Sequence, residues 1–175
     1  MSNFLNNSEK LISDEFIQKG YIIKDASNFT TLNILQDILV EQSSKIIGKS
    51  LDLNNIDWLN NIHEMIEVDQ LNNFRLQLIE SINKEKQFRE HYYNIAKPYL
   101  DIIVGNELAM QMRVNLSIQL PNDSSSLLPV HADTWSGDSA FEVVVWIPLV
   151  DCYKTKTMFI LPPNKTLELH EDFKN

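Results

Sequence analysis

The chain holds a single cysteine, Cys152, in 175 residues. That excludes an intrachain disulfide framework and fits a reducing compartment. Only four glycines are present. Neither a Gly-rich phosphate loop nor a nucleophile elbow can be found, and no internal repeat or low-complexity linker divides the sequence. The first ten residues, MSNFLNNSEK, lack the apolar stretch of a secretory signal. Nowhere does an apolar run approach the roughly 20 residues needed to span a bilayer. A cytoplasmic location is therefore expected. Basic residues are also short, 15 against 24 acidic, for a net charge of −9 and a pI near 4.8. An acidic surface argues against nucleic acid or an anionic membrane as the main partner.

What remains is an ordinary soluble composition, 43% hydrophobic and 22% charged, long enough for one domain with a sizeable core. The first 105 residues read as mainly helical. Leu11, Ile12 and Phe16 mark an amphipathic helix over 8–19, stopped by Gly20. A short strand is expected at 21–23. Ser27 is expected to cap a second helix running to about 49, with Leu32, Leu35, Leu39 and Ile46 at helical spacing and Gly48 near its end. Residues 51–66 read as turns around a short helix that carries Trp58, Ile62 and Ile66. A third long helix spans 67–84, with Leu71, Phe74, Leu78 and Ile82 inward. A fourth covers 85–97, where Pro98 ends or kinks it. His63 and His91 fall on these helical patterns without metal-ligand partners at suitable spacing, and read as structural or surface residues.

Near residue 107 the hydrophobic period changes from 3.6 to 2. Leu108, Met110, Met112, Val114, Leu116, Ile118 and Leu120 alternate with polar or small residues, which predicts a strand over 107–120. Its polar face is either solvated or lines a barrel mouth. In the second case Arg113, Asn115 and Gln119 meet a charged or hydroxylated co-substrate, with Arg113 suited to bidentate carboxylate pairing. Further strands are expected at 128–132, 140–149 and 157–161, and residues 164–175 form a polar tail.

The chemistry concentrates in residues 128–148, LPVHADTWSGDSAFEVVVWIP. His131 and Asp133 lie two apart, so in an extended segment they project from one face. Together they make two-thirds of the 2-His-1-carboxylate set that holds non-haem Fe(II). Trp135, just beyond, is either a lid over such a site that contacts substrate or a surface anchor. Trp146 reads as packing within the strand that follows.

Residues 115–163, above all HADTWSGDS and VVVWIPLVDCY, resemble the iron- and 2-oxoglutarate-dependent oxygenases of the phytanoyl-CoA-dioxygenase-like type. The nearest resemblance is to the subgroup found in sporadically distributed carbohydrate-biosynthesis clusters. It covers about a third of the chain. It implies an α+β fold in which N-terminal helices (1–105) pack on a double-stranded β-helix, or jelly roll, with 106–163 its first half. It also implies His131 and Asp133 as Fe(II) ligands and 2-oxoglutarate as co-substrate. The substrate implied is a small molecule, a carbohydrate or nucleotide-sugar, which is oxidised while the co-acid loses carbon dioxide. A jelly roll needs eight strands and four are counted here, so the barrel is expected to be incomplete. The distal histidine and the basic residue that grips 2-oxoglutarate are not matched, because the only downstream histidine, His170, lies in the polar tail. Open strand edges would then invite self-association. Two other readings compete: a catalytically inactive remnant serving as an interaction module, and a cupin-like sugar isomerase or epimerase that needs no co-acid.

Overall fold

The computed structural model describes residues 4–49, 53–124 and 127–172, with 170–172 described by backbone alone. Among the described residues six α-helices follow in order: α1 (Asn7–Lys19), α2 (Phe29–Ile47), α3 (Asn55–Asn60), α4 (Leu71–Lys84), α5 (Lys86–Ile103) and α6 (Pro163–Asp172). Single 3₁₀ turns lie at Ile62–Glu64, Asp133–Ser136 and Lys154–Lys156.

The helix boundaries have local causes. Asn6 opens α1 with a reciprocal cap: its side chain accepts from the Glu9 N–H at 3.0 Å, while the Glu9 carboxylate accepts from the Asn6 N–H at 2.8 Å. Asn28, not Ser27, caps α2, accepting from the Thr31 N–H at 3.1 Å. Gly48 ends α2 in the left-handed region at φ 71°, where a side chain would be strained. Helix α5 does not end at Pro98 but runs through it to Ile103. Proline has no N–H to offer the carbonyl four residues back, Asn94. Ser27 lies against this turn: its hydroxyl donates to the neighbouring Ile95 carbonyl at 2.8 Å and only weakly to that of Asn94 at 3.4 Å.

Helices α2, α4 and α5 enclose the core. Leu35 and Leu39 meet Phe74, Leu78 and Ile82, with Phe88 and Ile95 closing the third side. The Trp58 indole N–H donates to the Ser43 hydroxyl at 2.8 Å, with both residues buried. Helix α1 lies on α5 without burying any residue of its own.

The expected α+β jelly roll is not formed. Among the described residues there is no strand, sheet or barrel. The strands expected at 107–120, 128–132, 140–149, 157–161 and 21–23 are irregular chain. A strand requires a backbone partner for its N–H and C=O groups, and here helix side chains take that role. The Asn83 amide accepts from the Val114 N–H at 2.8 Å and donates to the Val114 carbonyl at 2.9 Å. Arg89 donates to the carbonyls of Gln111 (3.0 Å) and Met110 (2.9 Å). The Tyr92 hydroxyl donates to the Val145 carbonyl, and Gln36 to that of Leu149 at 3.1 Å. Residues 107–120 and 140–149 are tied to the helical body in this way, one residue at a time.

The burial of 108–120 still alternates. Val114 and Leu120 are buried, and Leu108, Met110, Leu116 and Ile118 are half-buried, while Arg113, Asn115, Ser117 and Gln119 are exposed. Met112 breaks the pattern, at 83% exposed. Among the described residues no helix is long and apolar enough to cross a membrane.

Candidate functional site

His131 and Asp133 are brought together by backbone geometry that needs no sheet. Ala132 between them is extended, at φ −123° and ψ 138°. One extended residue suffices to aim its two neighbours the same way. Asp133 then opens the Asp133–Ser136 turn, closed by Trp135 N–H to the Ala132 carbonyl at 2.8 Å and Asp138 N–H to the Asp133 carbonyl at 3.3 Å. Gly137 leaves the turn at φ 97°.

The imidazole is oriented from behind. His131 Nδ1 lies 2.7 Å from the Pro129 carbonyl oxygen. A carbonyl only accepts, so Nδ1 carries the proton, and in the neutral ring the Nε2 lone pair is left for another partner. Nε2 is 3.6 Å from Asp133 Oδ1, beyond direct hydrogen-bond range. Two donors each about 2.1 Å from one metal ion sit about 3.0 Å apart at a right angle and about 3.4 Å apart at the tetrahedral angle. A few tenths of an ångström of side-chain rotation would therefore let both reach one ion. The carbonyl behind Nδ1 is the kind of outer support that metal-binding histidines carry. Both side chains are about half exposed, 46% and 48%.

The donor set stops at two. Among the described residues no three His, Cys, Asp or Glu side chains are grouped to hold a metal ion. His63 places Nδ1 3.1 Å from the Asn60 carbonyl at the end of α3. His170 lies on α6, where only the backbone is described. Trp135 stands on the same turn as Asp133 and is 52% exposed. Arg113, Asn115 and Gln119 have exposed side chains. Arg113 carries positive charge toward Glu80, whose carboxyl is held below its usual range first by its hydrogen bond to Lys84 and least by Arg113. None of the three is hydrogen-bonded or ion-paired to His131 or Asp133 among the described residues. A shallow cleft lies between the end of α1 and the start of α6, lined by Lys19, Gly20, Leu161, Pro163, Thr166 and Leu167. It includes none of the expected site residues.

Sequence reasoning missed the Pro129 carbonyl and the clamping side chains Asn83, Arg89, Gln36 and Tyr92. A signal for the clamps existed. Gln36 interrupts the apolar stripe of α2 beside Leu35, and Asn83 follows Ile82 at the end of that of α4; a polar group on a core-facing helix needs a partner. Matches were found neither to a family model, nor to a curated protein, nor to a solved structure.

Proposed function

We propose that this chain carries an Fe(II)-chelating pair, His131 and Asp133, of the iron- and 2-oxoglutarate-dependent oxygenase type, acting on a carbohydrate or nucleotide-sugar. The single observation that carries the reading is the Nδ1 contact with Pro129, which leaves Nε2 facing Asp133 Oδ1 at 3.6 Å. An imidazole nitrogen beside a carboxylate oxygen suits a borderline divalent cation such as Fe(II). When bound, iron with 2-oxoglutarate would supply the oxidising chemistry that no side chain can. This chain's part is to hold and orient. His131 offers Nε2 in a fixed tautomer, and Asp133 adds negative charge from a turn closed at Gly137. Trp135, two residues on, offers an aromatic face to a sugar ring. Arg113 is the candidate for the far carboxylate of the co-acid, with Asn115 and Gln119 as polar neighbours on the same face of their segment. Among the described residues no third protein ligand joins the pair.

The test is anaerobic titration with Fe(II) and 2-oxoglutarate, read by the visible metal-to-ligand charge-transfer band. A band that disappears in Asp133→Ala supports the reading. A folded, helical protein that shows no band overturns it.

A second reading, an interaction module without turnover, is favoured by one observation. Large apolar side chains stand exposed through 127–161, Phe141 at 94% and Phe159 at 83% among them, and such surface marks contact sites. Absence of the band in a protein that nonetheless associates would support this module.

A further inference from the structure

We propose that residues 141–149, FEVVVWIPL, form an edge strand that pairs antiparallel with the same segment of a second copy, centred on Val144. The segment has the alternation of a strand without a sheet. Val143, Val145, Ile147 and Leu149 are half-buried, Ile147 and Leu149 packed on the helical core, while Glu142, Val144 and Trp146 are exposed. In an extended chain, successive residues also turn their N–H and C=O groups to opposite edges. The helix donors reach only one of these edges: Tyr92 takes the Val145 carbonyl and Gln36 the Leu149 carbonyl, both odd-numbered. On the even edge, the Glu142 N–H is used in a turn with the Ser139 carbonyl at 3.0 Å. The N–H and C=O groups of Val144 and Trp146 have no hydrogen-bond partner among the described residues.

That even edge fits itself. A two-fold axis through Val144 sets Val144 against its own copy and Trp146 against Glu142. Val144 then exchanges two backbone hydrogen bonds across the axis, and each Trp146 N–H meets the opposite Glu142 carbonyl. The only charge in the run is Glu142. It faces an indole instead of its own copy, so a chain of net charge −9 meets itself here without like-charge contact. The axis is perpendicular to the pair, so the odd side chains of both copies stay on one face, each over its own helices. Isologous pairing of this kind closes as a dimer instead of growing into a fibre. Val144, at 61% exposed, is available for it.

The test is mass measurement by light scattering, backed by analytical ultracentrifugation, over roughly three decades of concentration up to about 1 mM. Wild-type chain is expected to pass from monomer to dimer. Val144→Pro removes the two central N–H donors and should weaken the dimer roughly 30-fold or more. Val144→Glu, at an exposed position that leaves the helical core untouched, sets like charges opposite each other and should weaken it at least about fivefold. Amide exchange in the wild type should slow at Val144 and Trp146 as concentration rises. A monomer throughout overturns the proposal, as does a dimer that the glutamate variant leaves intact. So does a dimer whose Val144 and Trp146 amides gain no protection.

Discussion

Replacing Asn83 by alanine removes the one side chain that answers both backbone groups of Val114. Val114 is 4% exposed, so water does not readily take over the N–H and C=O that Asn83 holds at 2.8 and 2.9 Å. Each such bond contributes about 1–1.5 kcal/mol net, and leaving a buried group unpaired pushes toward the upper end. The two together amount to about 2–3 kcal/mol. Alanine is a better helix former than asparagine by about 0.6 kcal/mol, and the bond from Asn83 to the Ile79 carbonyl is within the helix, where its loss matters least. The expected destabilisation is therefore about 2 kcal/mol, read from urea unfolding followed by helical circular dichroism. Asn83→Asp separates the two halves of the clamp. It still accepts from the Val114 N–H but cannot donate to the Val114 carbonyl, so it should retain part of the stability. Amide exchange should quicken across 110–118 in both variants. A change below about 0.5 kcal/mol with unaltered protection at Val114 would refute the claim that a helix side chain stands in for a strand partner.

Three further outcomes are expected. Ile82 is fully buried where α4 meets α2 and α5, and Ile82→Ala should cost about 3–4 kcal/mol by urea unfolding, from lost transfer energy and the cavity left behind. Burial raises the Tyr92 pKa above its ordinary 10.0. Its folded value therefore exceeds its unfolded one, so its contribution is complete below about pH 10 and is lost as pH climbs through the folded value. Comparing Tyr92→Phe with wild type at pH 8 and pH 10.5 isolates it: the variant should lose about 1 kcal/mol at pH 8 and a smaller difference at the higher pH. His131→Ala should weaken Fe(II) binding by more than about tenfold, measured by anaerobic titration, since altering outer-shell partners alone costs 10–100-fold.

The helical half could be read from the sequence because three signals coincide there. The 3.6 period of Leu71, Phe74, Leu78 and Ile82 matches their burial, the expected end of α1 at Gly20 and of α2 near Gly48 falls on left-handed glycines, and the segments are long enough for several turns, whereas the cap of α2 is Asn28 and not the expected Ser27. Pro98, expected to end or kink the helix, does not end it, and the hydroxyl that donates to the carbonyls before it comes from Ser27, which no local pattern reveals. The period of 2 over 108–120 was a true record of burial and a false record of pairing. Alternation reports an extended chain lying along an apolar surface. It carries no information about what answers the backbone, and here the answer comes from Asn83 and Arg89, which stand 31 and 22 residues away from the groups they bind. The nearness of His131 and Asp133 was legible for the opposite reason, since it needs only one extended residue between them.

That locality separates the stability of the body from the geometry of the pair. Every hydrogen bond made by His131 or Asp133 stays within residues 129–138. The core around Ile82 therefore sets whether the chain folds, and the turn at Asp133–Ser136 sets where the two donors point. Gly137 ends that turn at φ 97°, and an added Cβ there would meet no atom within 4 Å. Gly137→Ala thus acts through backbone strain alone, about 1–2 kcal/mol, which the chain can relieve by reshaping the turn. Relief moves Asp133 relative to Nε2, so Fe(II) affinity should fall several-fold while the unfolding midpoint stays close to wild type. Ile82→Ala should do the reverse, lowering the midpoint and leaving the affinity of the folded fraction unchanged. If both variants lower both quantities together, the pair depends on the helical core after all, and the local account of its geometry fails.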